Sequence, residues 1–464
     1  MRQRADNRTG SSLDMTSGNA FSLILKYSIP LLCGNMLQQF YNMVDSYVVG
    51  NYATQGDLAL AAVGNGGPIT FLMAAMFIGL SGGVTVLVAQ LFGAGDRAGI
   101  KKAADTAYSL IIPVGLGLAI IFVLCLKKLL ALMAIPEEIY KDTYRYTVIC
   151  MACVIGPMGY NINSGIMQGM GDTRTPLILL LCSTLINVVL DLLFVVAFHW
   201  DAMGVALATV IAQFISWIVG IFLINKHYGS FLKVTPFIFK VNTVMLKEIL
   251  RIGIPSSIQM MSISFGNVLI QRIINSNGTS FAAGAVCAHK IDSFIVLPCQ
   301  SFSNSITTYI GQNLGANRMD RVKNGIVACL TCAIVSTAIF GSLTYLFAEK
   351  LIGFFNDNPT VIKYGAEYLK ILMPFYPILT LMFTYCGVLR GMRKVLVTMV
   401  AMISAQCILR VLFSIIFNNI FGGSAIYYSF PVGWSAGAAI VMCYYYFGNW
   451  RKTIRSFSAD HADA

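Results

Sequence analysis

Apolar runs long enough to cross a lipid bilayer follow one another along nearly the whole sequence. A transmembrane helix needs roughly 20 mainly apolar residues, whereas the strands of a membrane β-barrel are short and alternate between apolar and polar residues. The runs here are long and do not alternate, so we expect an all-α integral membrane protein. Twelve transmembrane helices are predicted, at about 22–48, 59–90, 103–126, 139–162, 175–198, 203–224, 252–275, 284–311, 325–347, 364–388, 396–420 and 425–448.

Charged residues make up only 11% of the chain, whereas 57% of its residues are hydrophobic. Of the basic residues, 22 fall in segments on one side of the predicted membrane and only 7 on the other. Cytoplasmic loops are enriched in lysine and arginine, so we expect a multi-pass protein of the cell (inner or plasma) membrane with both termini in the cytoplasm. The net charge of +12 then reports topology, and no nucleic-acid partner is expected.

Parts of the sequence occur twice. The segment Gln90-Leu-Phe-Gly-Ala returns as Gln312-Asn-Leu-Gly-Ala, and Gly165-Ile-Met-Gln-Gly-Met returns as Gly387-Val-Leu-Arg-Gly-Met. An Ile-Pro pair also lies near the start of the first and of the seventh span. Related halves built of membrane spans are a common plan of secondary transporters.

The repeat predicts five segments. They are a cytoplasmic N-terminal tail (1–20), an N-lobe with the first six spans (21–224), a polar cytoplasmic linker (225–251), a C-lobe with the last six spans (252–448) and a cytoplasmic C-terminal tail (449–464). With six spans in each, the two lobes have the same orientation across the membrane, related by a pseudo-two-fold axis along its normal.

Three acidic residues fall well inside the predicted spans, where a charged side chain costs at least about 2.5 kcal/mol. Asp45 shares a helix face with Tyr41 in the first span, and Asn187 and Asp191 lie four residues apart in the fifth. With Thr209 of the sixth span, they offer oxygen ligands for Na⁺ or a carboxyl group that can take up H⁺. The alternative is that both acids pair with donors at helix ends and serve only structure.

The second half has a different polar content. Arg410 matches Asn187 in the repeat alignment, and no pair of carboxylates accompanies it. Asp292 lies near Lys290. It either pairs with this lysine or reaches a substrate. The residues therefore place the cation site in the N-lobe.

Several motifs, taken in order, resemble the multidrug and toxic compound extrusion (MATE) family of transporters in its bacterial form. They cover essentially the whole chain after residue 20. The motifs are Ile-Pro-x₇-Gln-Gln-x-Tyr-Asn-x-Val-Asp-Ser (29–46), Ala-Ala-Val-Gly (61–64), Gln-x₂-Gly-Ala-Gly-Asp (90–96), Gly-Asp-Thr-Arg-Thr-Pro (171–176), Asn-Val-Val-Leu-Asp (187–191) and Gly-Val-Ala-Leu-Ala-Thr (204–209).

The resemblance implies two six-helix lobes arranged as a V that opens alternately to either side. It implies export of amphipathic, often cationic drugs or toxic metabolites in exchange for Na⁺ or H⁺. Pro30 matches the proline at which the family's first span bends. The family's cation site falls on Asp45, Tyr41, Asn187, Asp191 and Thr209.

A substrate cavity between the lobes is the remaining expectation, because methionine and aromatic walls adapt to varied ligands. Besides Tyr41, its predicted lining is Gln38, Gln259, Met260, Met261, Asn267, Gln300 and Asn304.

A flippase for lipid-linked saccharides is the main alternative, although it favours a strongly basic cavity, to which only Arg272 and Arg410 could contribute. No GxxxxGK[ST] segment occurs, so ATP hydrolysis is not expected. Neither an enzymatic activity nor a cofactor is predicted. The expected partners are small-molecule substrates, the coupling ion and the lipid bilayer, and the protein is expected to act as a monomer.

Overall fold

A computed structural model describes residues 12–448 apart from positions 55, 134, 236 and 238. The predicted C-terminal tail and the first eleven residues of the N-terminal tail lie outside the described residues. Within the described part, the regular secondary structure is helical throughout.

The first half of the chain contains seven α-helices, the sixth of which continues into a π-helical segment, Leu192–Ala197. They are α1 (Ala20–Tyr52), α2 (Gly56–Ala94), α3 (Arg97–Leu132), α4 (Glu137–Ala152), α5 (Ile155–Gly169), α6 (Arg174–Asp191) and α7 (Asp201–Tyr228).

The second half contains nine further α-helices. They are α8 (Thr243–Asn275), α9 (Thr279–Gly315), α10 (Met319–Leu346), α11 (Ala348–Gly353), α12 (Pro359–Leu372), α13 (Tyr376–Gly391), α14 (Val395–Ile403), α15 (Arg410–Phe421) and α16 (Ser429–Phe447). A 3₁₀ turn joins α12 to α13, a π-helical segment (Ser404–Leu409) joins α14 to α15, and a second 3₁₀ turn precedes α16.

Ten helical stretches in the described residues are long and apolar enough to cross a membrane. They correspond to ten of the twelve predicted spans. The other two predicted spans are α4 with α5, which is interrupted at residues 153–154, and α8, which carries many polar residues. The interruption and these polar residues distinguish the two spans from the other ten, and the protein is a multi-pass membrane protein with the predicted helical fold.

The contacts between residues divide the chain into two compact units. The N-unit contains residues 12–14 and Cys33–Ile254, and the C-unit contains Met15–Leu32 and the chain from Pro255 to the last described residue. In the N-unit, the most extensive contacts join α2 with α5 and α7 with both α5 and α6. In the C-unit, α9 packs against α10, α12 and α13, and α13 packs against α16.

Two helices change unit part-way along their length. In α1 the change falls between Leu32 and Cys33, and in α8 it falls between Ile254 and Pro255. Both helices contain a proline near this point, Pro30 in α1 and Pro255 in α8. A proline has no N–H to donate, so each helix loses one internal hydrogen bond there.

The unit boundaries therefore differ from the predicted lobes and linker. The first part of α1, predicted as the start of the N-lobe, belongs to the C-unit. The segment 225–251, predicted as a separate linker, belongs to the N-unit. Two hydrogen bonds attach it to α3, because the backbone N–H of Lys240 donates to the hydroxyl of Ser109 at 2.8 Å and that of Asn242 donates to the hydroxyl of Thr106 at 3.0 Å.

The sequence repeat returns as a repeated helix contact. In the N-unit, Ser81 of α2 donates a hydrogen bond to the carbonyl of Asn161 in α5. In the C-unit, Ser303 of α9 donates to the carbonyl of Phe383 in α13 at 2.7 Å. The glycines of the repeated segment make both contacts close, since a Cβ at Gly165 would lie 2.6 Å from the Ser81 hydroxyl. Its counterpart Gly387 would bring a Cβ within 2.4 Å of the Ser303 carbonyl.

The ends of the repeated helices also share one geometry. Gly95 after α2 has φ +74° and Asn317 after α9 has φ +55°. In each case the next residue donates its N–H to a carbonyl five residues back, Asp96 to Leu91 at 3.0 Å and Arg318 to Asn313 at 2.8 Å. This is the Schellman arrangement, in which a left-handed residue closes the helix.

Candidate cation site

Two side chains of α1 begin the site, and both belong to the N-unit. Tyr41 and Asp45 lie four residues apart, on one face of the helix. Tyr41 is buried, and its hydroxyl shares a hydrogen bond of 2.9 Å with the hydroxyl of Thr209 in α7. Asp45 is half-buried, and its carboxyl group lies within hydrogen-bonding reach of the Tyr41 hydroxyl. The helix face that Tyr41 and Asp45 share is therefore directed toward α7.

The last turn of α6 supplies the other half of the site. Asn187 and Asp191 lie four residues apart and therefore face the same way on this helix. Both are completely buried. The carboxyl groups of Asp191 and Asp45 lie close together, since one end of the Asn187 amide is 3.0 Å from an oxygen of each. One oxygen of Asp191, Oδ1, has no hydrogen-bond partner among the described residues. The structure thus brings together all five residues that were predicted for the cation site.

The amide of Asn187 links the two acids. Both of its ends are satisfied when its nitrogen faces the carboxyl groups, donating to Asp45 and to Asp191 at 3.0 Å each. The amide oxygen then accepts from the backbone N–H of Thr209 at 3.1 Å. In this orientation Asn187 bridges α1, α6 and α7 through one side chain.

Tyr146 of α4 is a neighbour that the sequence did not indicate. It lies close enough to Asp45 and Asp191 for their charges to interact with it, and it also neighbours Tyr41. Gly66 of α2 makes room for it, because a Cβ at this glycine would lie 2.6 Å from the Tyr146 ring. The first ten residues of the predicted fourth span include six that are aromatic or charged, so no pattern distinguishes this tyrosine.

Two carboxyl groups this close together cannot both be ionised without a compensating charge. Two like charges about 4 Å apart repel by about 4 kcal/mol at an effective dielectric constant of about 20. A proton shared by Asp45 and Asp191, or a cation between them, removes that repulsion. The set of carboxylate, amide and hydroxyl oxygens suits a hard cation such as Na⁺. Among the described residues no group of three or more His, Cys, Asp or Glu side chains could hold a metal ion.

The buried acid of the second half has other partners than the sequence suggested. Asp292 of α9 accepts hydrogen bonds from the hydroxyls of Tyr376 and, at 3.4 Å, of Tyr368. The amine of Lys290 instead lies over the ring of Phe355, 5.6 Å from its centre. Of the two alternatives for Asp292, the structure does not show the pair with Lys290, because residues two apart on a helix point in different directions whereas α12 and α13 reach the acid directly.

The sequence profile of the MatE family matches this chain twice, over residues 30–193 and 255–416. The chain belongs to this family. The two matches begin at Pro30 and Pro255, so the family profile recognises both halves of the repeat.

Curated relatives of this MatE protein span most of its length. A Bacillus subtilis (strain 168) protein described as a probable multidrug resistance protein, YpnP, is 27% identical over 440 residues, which are 94% of this chain and 97% of the relative. The similarly described NorM of Thermotoga maritima is 27% identical over 387 residues, 81% of either chain.

The fold is shared with solved MatE structures. A MOP superfamily transporter from Pyrococcus furiosus superposes with a TM-score of 0.88 at 20% sequence identity, covering 97% of this chain and 100% of its own. At that identity the similarity establishes the fold, and it confirms the predicted helical architecture.

The predicted cavity residues of this MatE protein lie in separate settings. Gln38 is half-buried on α1 in the N-unit, and the remaining six lie in the C-unit. Gln259 is buried and accepts a hydrogen bond from Thr398 at 3.5 Å. Asn304 is exposed and accepts a hydrogen bond from Arg390 at 3.2 Å. The side chains of Met260 and Met261 are half-buried, and those of Asn267 and Gln300 are exposed.

Proposed function

We propose that the protein is a secondary active exporter of amphipathic or cationic small molecules, which it moves in exchange for Na⁺ or H⁺ by alternating access. The proposal places both termini in the cytoplasm, where the excess of basic residues is expected. It further takes the protein to act as a monomer and to have no enzymatic activity. Relatives over most of the chain are named as multidrug resistance proteins, which supports this class of substrate.

The observation that carries the proposal is the juxtaposed pair of carboxyl groups of Asp45 and Asp191. A buried pair of acids binds a cation or a proton when one is available. When none is available, the two negative charges repel each other. The site can therefore exist in a loaded and an unloaded form that differ by several kcal/mol, which is the property that ion coupling requires.

The proposed cycle assigns a part to each residue of the site. Asp45 and Asp191 take up the cation from outside, while Tyr41 and Thr209 orient their carboxyl groups by hydrogen bonding. Pro30 permits α1 to bend, and in the bent form the exported molecule is held less tightly. Release of the cation into the cytoplasm restores the pair of acids, and the predicted cavity residues, with Gln38 and Gln259 among them, bind the next molecule.

The orientation of the Asn187 side-chain amide should differ between coupling to Na⁺ and coupling to H⁺. With its nitrogen toward the acids, the amide donates to the carboxyl oxygens, which suits the ion-free or protonated pair. Coordination of Na⁺ requires an oxygen ligand instead, so the amide must turn its oxygen toward the acids. A Na⁺-driven cycle therefore includes an amide rotation of Asn187 that an H⁺-driven cycle does not need.

The test is ethidium export by proteoliposomes that contain the purified protein, driven separately by a Na⁺ gradient and by a pH gradient. We expect one gradient to drive export and Asp45→Asn to abolish it, because the variant removes one charge of the pair while keeping the shape of the side chain. Asp57→Asn is the matched control, since Asp57 is an exposed acid in the first turn of α2.

Export that survives unchanged in Asp45→Asn would remove the acids from ion coupling. If neither gradient moves ethidium or other cationic dyes, the multidrug proposal fails. Translocation of a fluorescent lipid-linked saccharide would then favour the flippase alternative.

A further inference from the structure

Arg410 is a buried arginine with a hydrogen-bond donor that lacks a partner among the described residues. It lies in the middle of the stretch Val395–Phe421 and is 4% exposed. A guanidinium group has five N–H donors. One nitrogen, Nη2, donates to the side-chain oxygen of Asn267 at 2.7 Å, and the group stacks over the ring of Phe430 at 4.9 Å. The Nε atom has no hydrogen-bond partner among the described residues.

The nearest acid does not neutralise this charge directly. Asp292 and Arg410 are close enough to interact electrostatically, yet they do not form one of the ion pairs within 4.0 Å among the described residues. The carboxyl oxygens of Asp292 are already engaged by the hydroxyls of Tyr376 and Tyr368. Burying an arginine without a bound acceptor is costly, so a further acceptor would stabilise the C-unit.

The surroundings of the guanidinium leave a way in for such an acceptor. Asn267 is exposed, so the one oxygen that accepts from Arg410 stands at the surface of the C-unit. The preceding residue, Gly266, is buried in close contact, since a Cβ there would lie 2.5 Å from the Gln406 carbonyl and 3.3 Å from Nη2, so the approach is on the Asn267 side. One helical turn before Arg410, the buried Gln406 has a side-chain oxygen without a partner among the described residues.

We propose that Arg410 is the binding site for an anionic group, a carboxylate or phosphate on a ligand or a small free anion such as chloride. Asn267 occupies the place of that group when no ligand is bound. Arginine binds carboxylates and phosphates through two parallel hydrogen bonds, and Nη2 with the unpartnered Nε supplies two donors. The inference rests on the proposed function only in taking the ligand to be a transported molecule, since binding itself can be measured without transport.

The test compares two dyes that differ in one group. Rhodamine B carries a free carboxylate, and its ethyl ester has the same ring system without that charge. Binding of each dye to the purified protein in detergent is measured by fluorescence polarisation. We expect the wild-type protein to prefer the acid at least about ten-fold, the value of one charge-assisted hydrogen-bonded pair.

Two variants distinguish a loss of anion binding from a general folding defect. Arg410→Gln removes the charge, and it should abolish the preference for the acid while keeping affinity for the ester. Asn267→Asp, at an exposed position, places a permanent carboxylate on Nη2 and should block the acid in the same way. Asn275→Asp is the matched control, because Asn275 is exposed on the same helix and bonds to Gln271 instead.

Chloride distinguishes the two sources of the anion. The melting temperature of the wild-type protein is measured as chloride replaces sulfonate at constant ionic strength. A rise that is absent in Arg410→Gln and in Asn267→Asp, without any preference for the acidic dye, assigns the site to a free anion. The proposal is overturned if the dye preference and the effect of chloride on the melting temperature are the same in the wild type and in both variants. It is also overturned if none of the three proteins shows either effect. Because neither readout uses an ion gradient, a failure of ethidium export leaves this result intact.

Discussion

The N-unit and the C-unit each place a buried polar cluster beside a π-helical segment. In the N-unit a π-helical segment follows directly after Asp191, and in the C-unit another one, at a different position of the repeat, ends directly before Arg410. The N-unit cluster contains two acids and no basic residue, whereas the C-unit cluster contains one acid and an arginine. π-Helical turns are frequent at functional sites because they reorient the side chains beside them.

The two units share a repeated fold but differ in the charges of their buried polar clusters. Two acids alone require a positive charge from solution, so their cluster responds to the ions around it. An arginine carries its positive charge permanently, so the response proposed for its cluster is to anions. Under the two proposals made for these clusters, the same backbone plan would give one unit sensitivity to cations and the other sensitivity to negative groups.

The largest effect is expected from removing the acids one at a time. Asp191→Asn should lower gradient-driven ethidium export at least about 100-fold, equivalent to about 2.7 kcal/mol in the rate-limiting step. Asp292→Asn should retain measurable ion-driven export, because its carboxyl is held by tyrosine hydroxyls. Equal loss in both variants, at equal protein levels in the liposomes, would show that the C-unit also takes part in ion coupling.

The same substitution in the two clusters should change stability in opposite directions. Asn187→Asp adds a third buried carboxyl group and should destabilise the protein by about 3 kcal/mol. Asn267→Asp places a carboxylate against Arg410 and should stabilise it by up to about 1 kcal/mol. Thermal unfolding in detergent measures both, with Asn275→Asp as the variant that should change little. A destabilising Asn267→Asp would mean that Arg410 already has its charge balanced.

Loss of a single hydroxyl should cost more in the C-unit than in the N-unit. Tyr376→Phe removes a direct hydrogen bond to the Asp292 carboxyl and should cost about 2 kcal/mol, whereas Tyr41→Phe removes mainly the bond to the neutral Thr209 hydroxyl, with Asp45 only within reach, and should cost about 1 kcal/mol. The two melting temperatures are compared at fixed pH and ionic strength. The reverse order would indicate that Tyr41 holds a carboxylate more strongly than it holds Thr209.

The smallest effect is expected where one unit is given the residue of the other. Gly95→Asn copies Asn317 into the equivalent turn of the N-unit, where a Cβ meets no atom within 4 Å. Asparagine tolerates the left-handed conformation better than most residues, so we expect a loss of at most about 0.5 kcal/mol. A larger drop in melting temperature would show that the two turns differ in more than this residue.

Most of the N-unit site could be predicted because its information is local. Asp45 and Tyr41, like Asn187 and Asp191, are polar residues four apart in apolar helices, and such a pattern is visible without a structure. The partners of Asp292 could not be predicted, because Tyr368 and Tyr376 lie on other helices, 76 and 84 residues away along the chain. Tyr146 escaped notice for the same reason.

The fold was predictable to the level of helices and repeats, since bilayer thickness fixes the length of an apolar run. The change of unit within α1 and α8 was not, because neither helix shows a break in its apolar pattern at that point. The ends of α4 and α5 were also misjudged, as a short interruption at residues 153–154 leaves the hydropathy of the segment unchanged.

The sharing of α1 between units has a consequence for synthesis in the cell. The hydroxyl of Tyr27, in the first part of α1, bonds at 2.9 Å to Thr308, which is 281 residues later in the chain. At a translation rate of about 5–20 residues per second, the partner is made some tens of seconds after Tyr27 leaves the ribosome. During that interval the first helix must wait in the membrane without its partners. The segment that is made first is thus among the last to reach its final contacts. A chain whose synthesis stops before α9 lacks the residues to which the first part of α1 bonds.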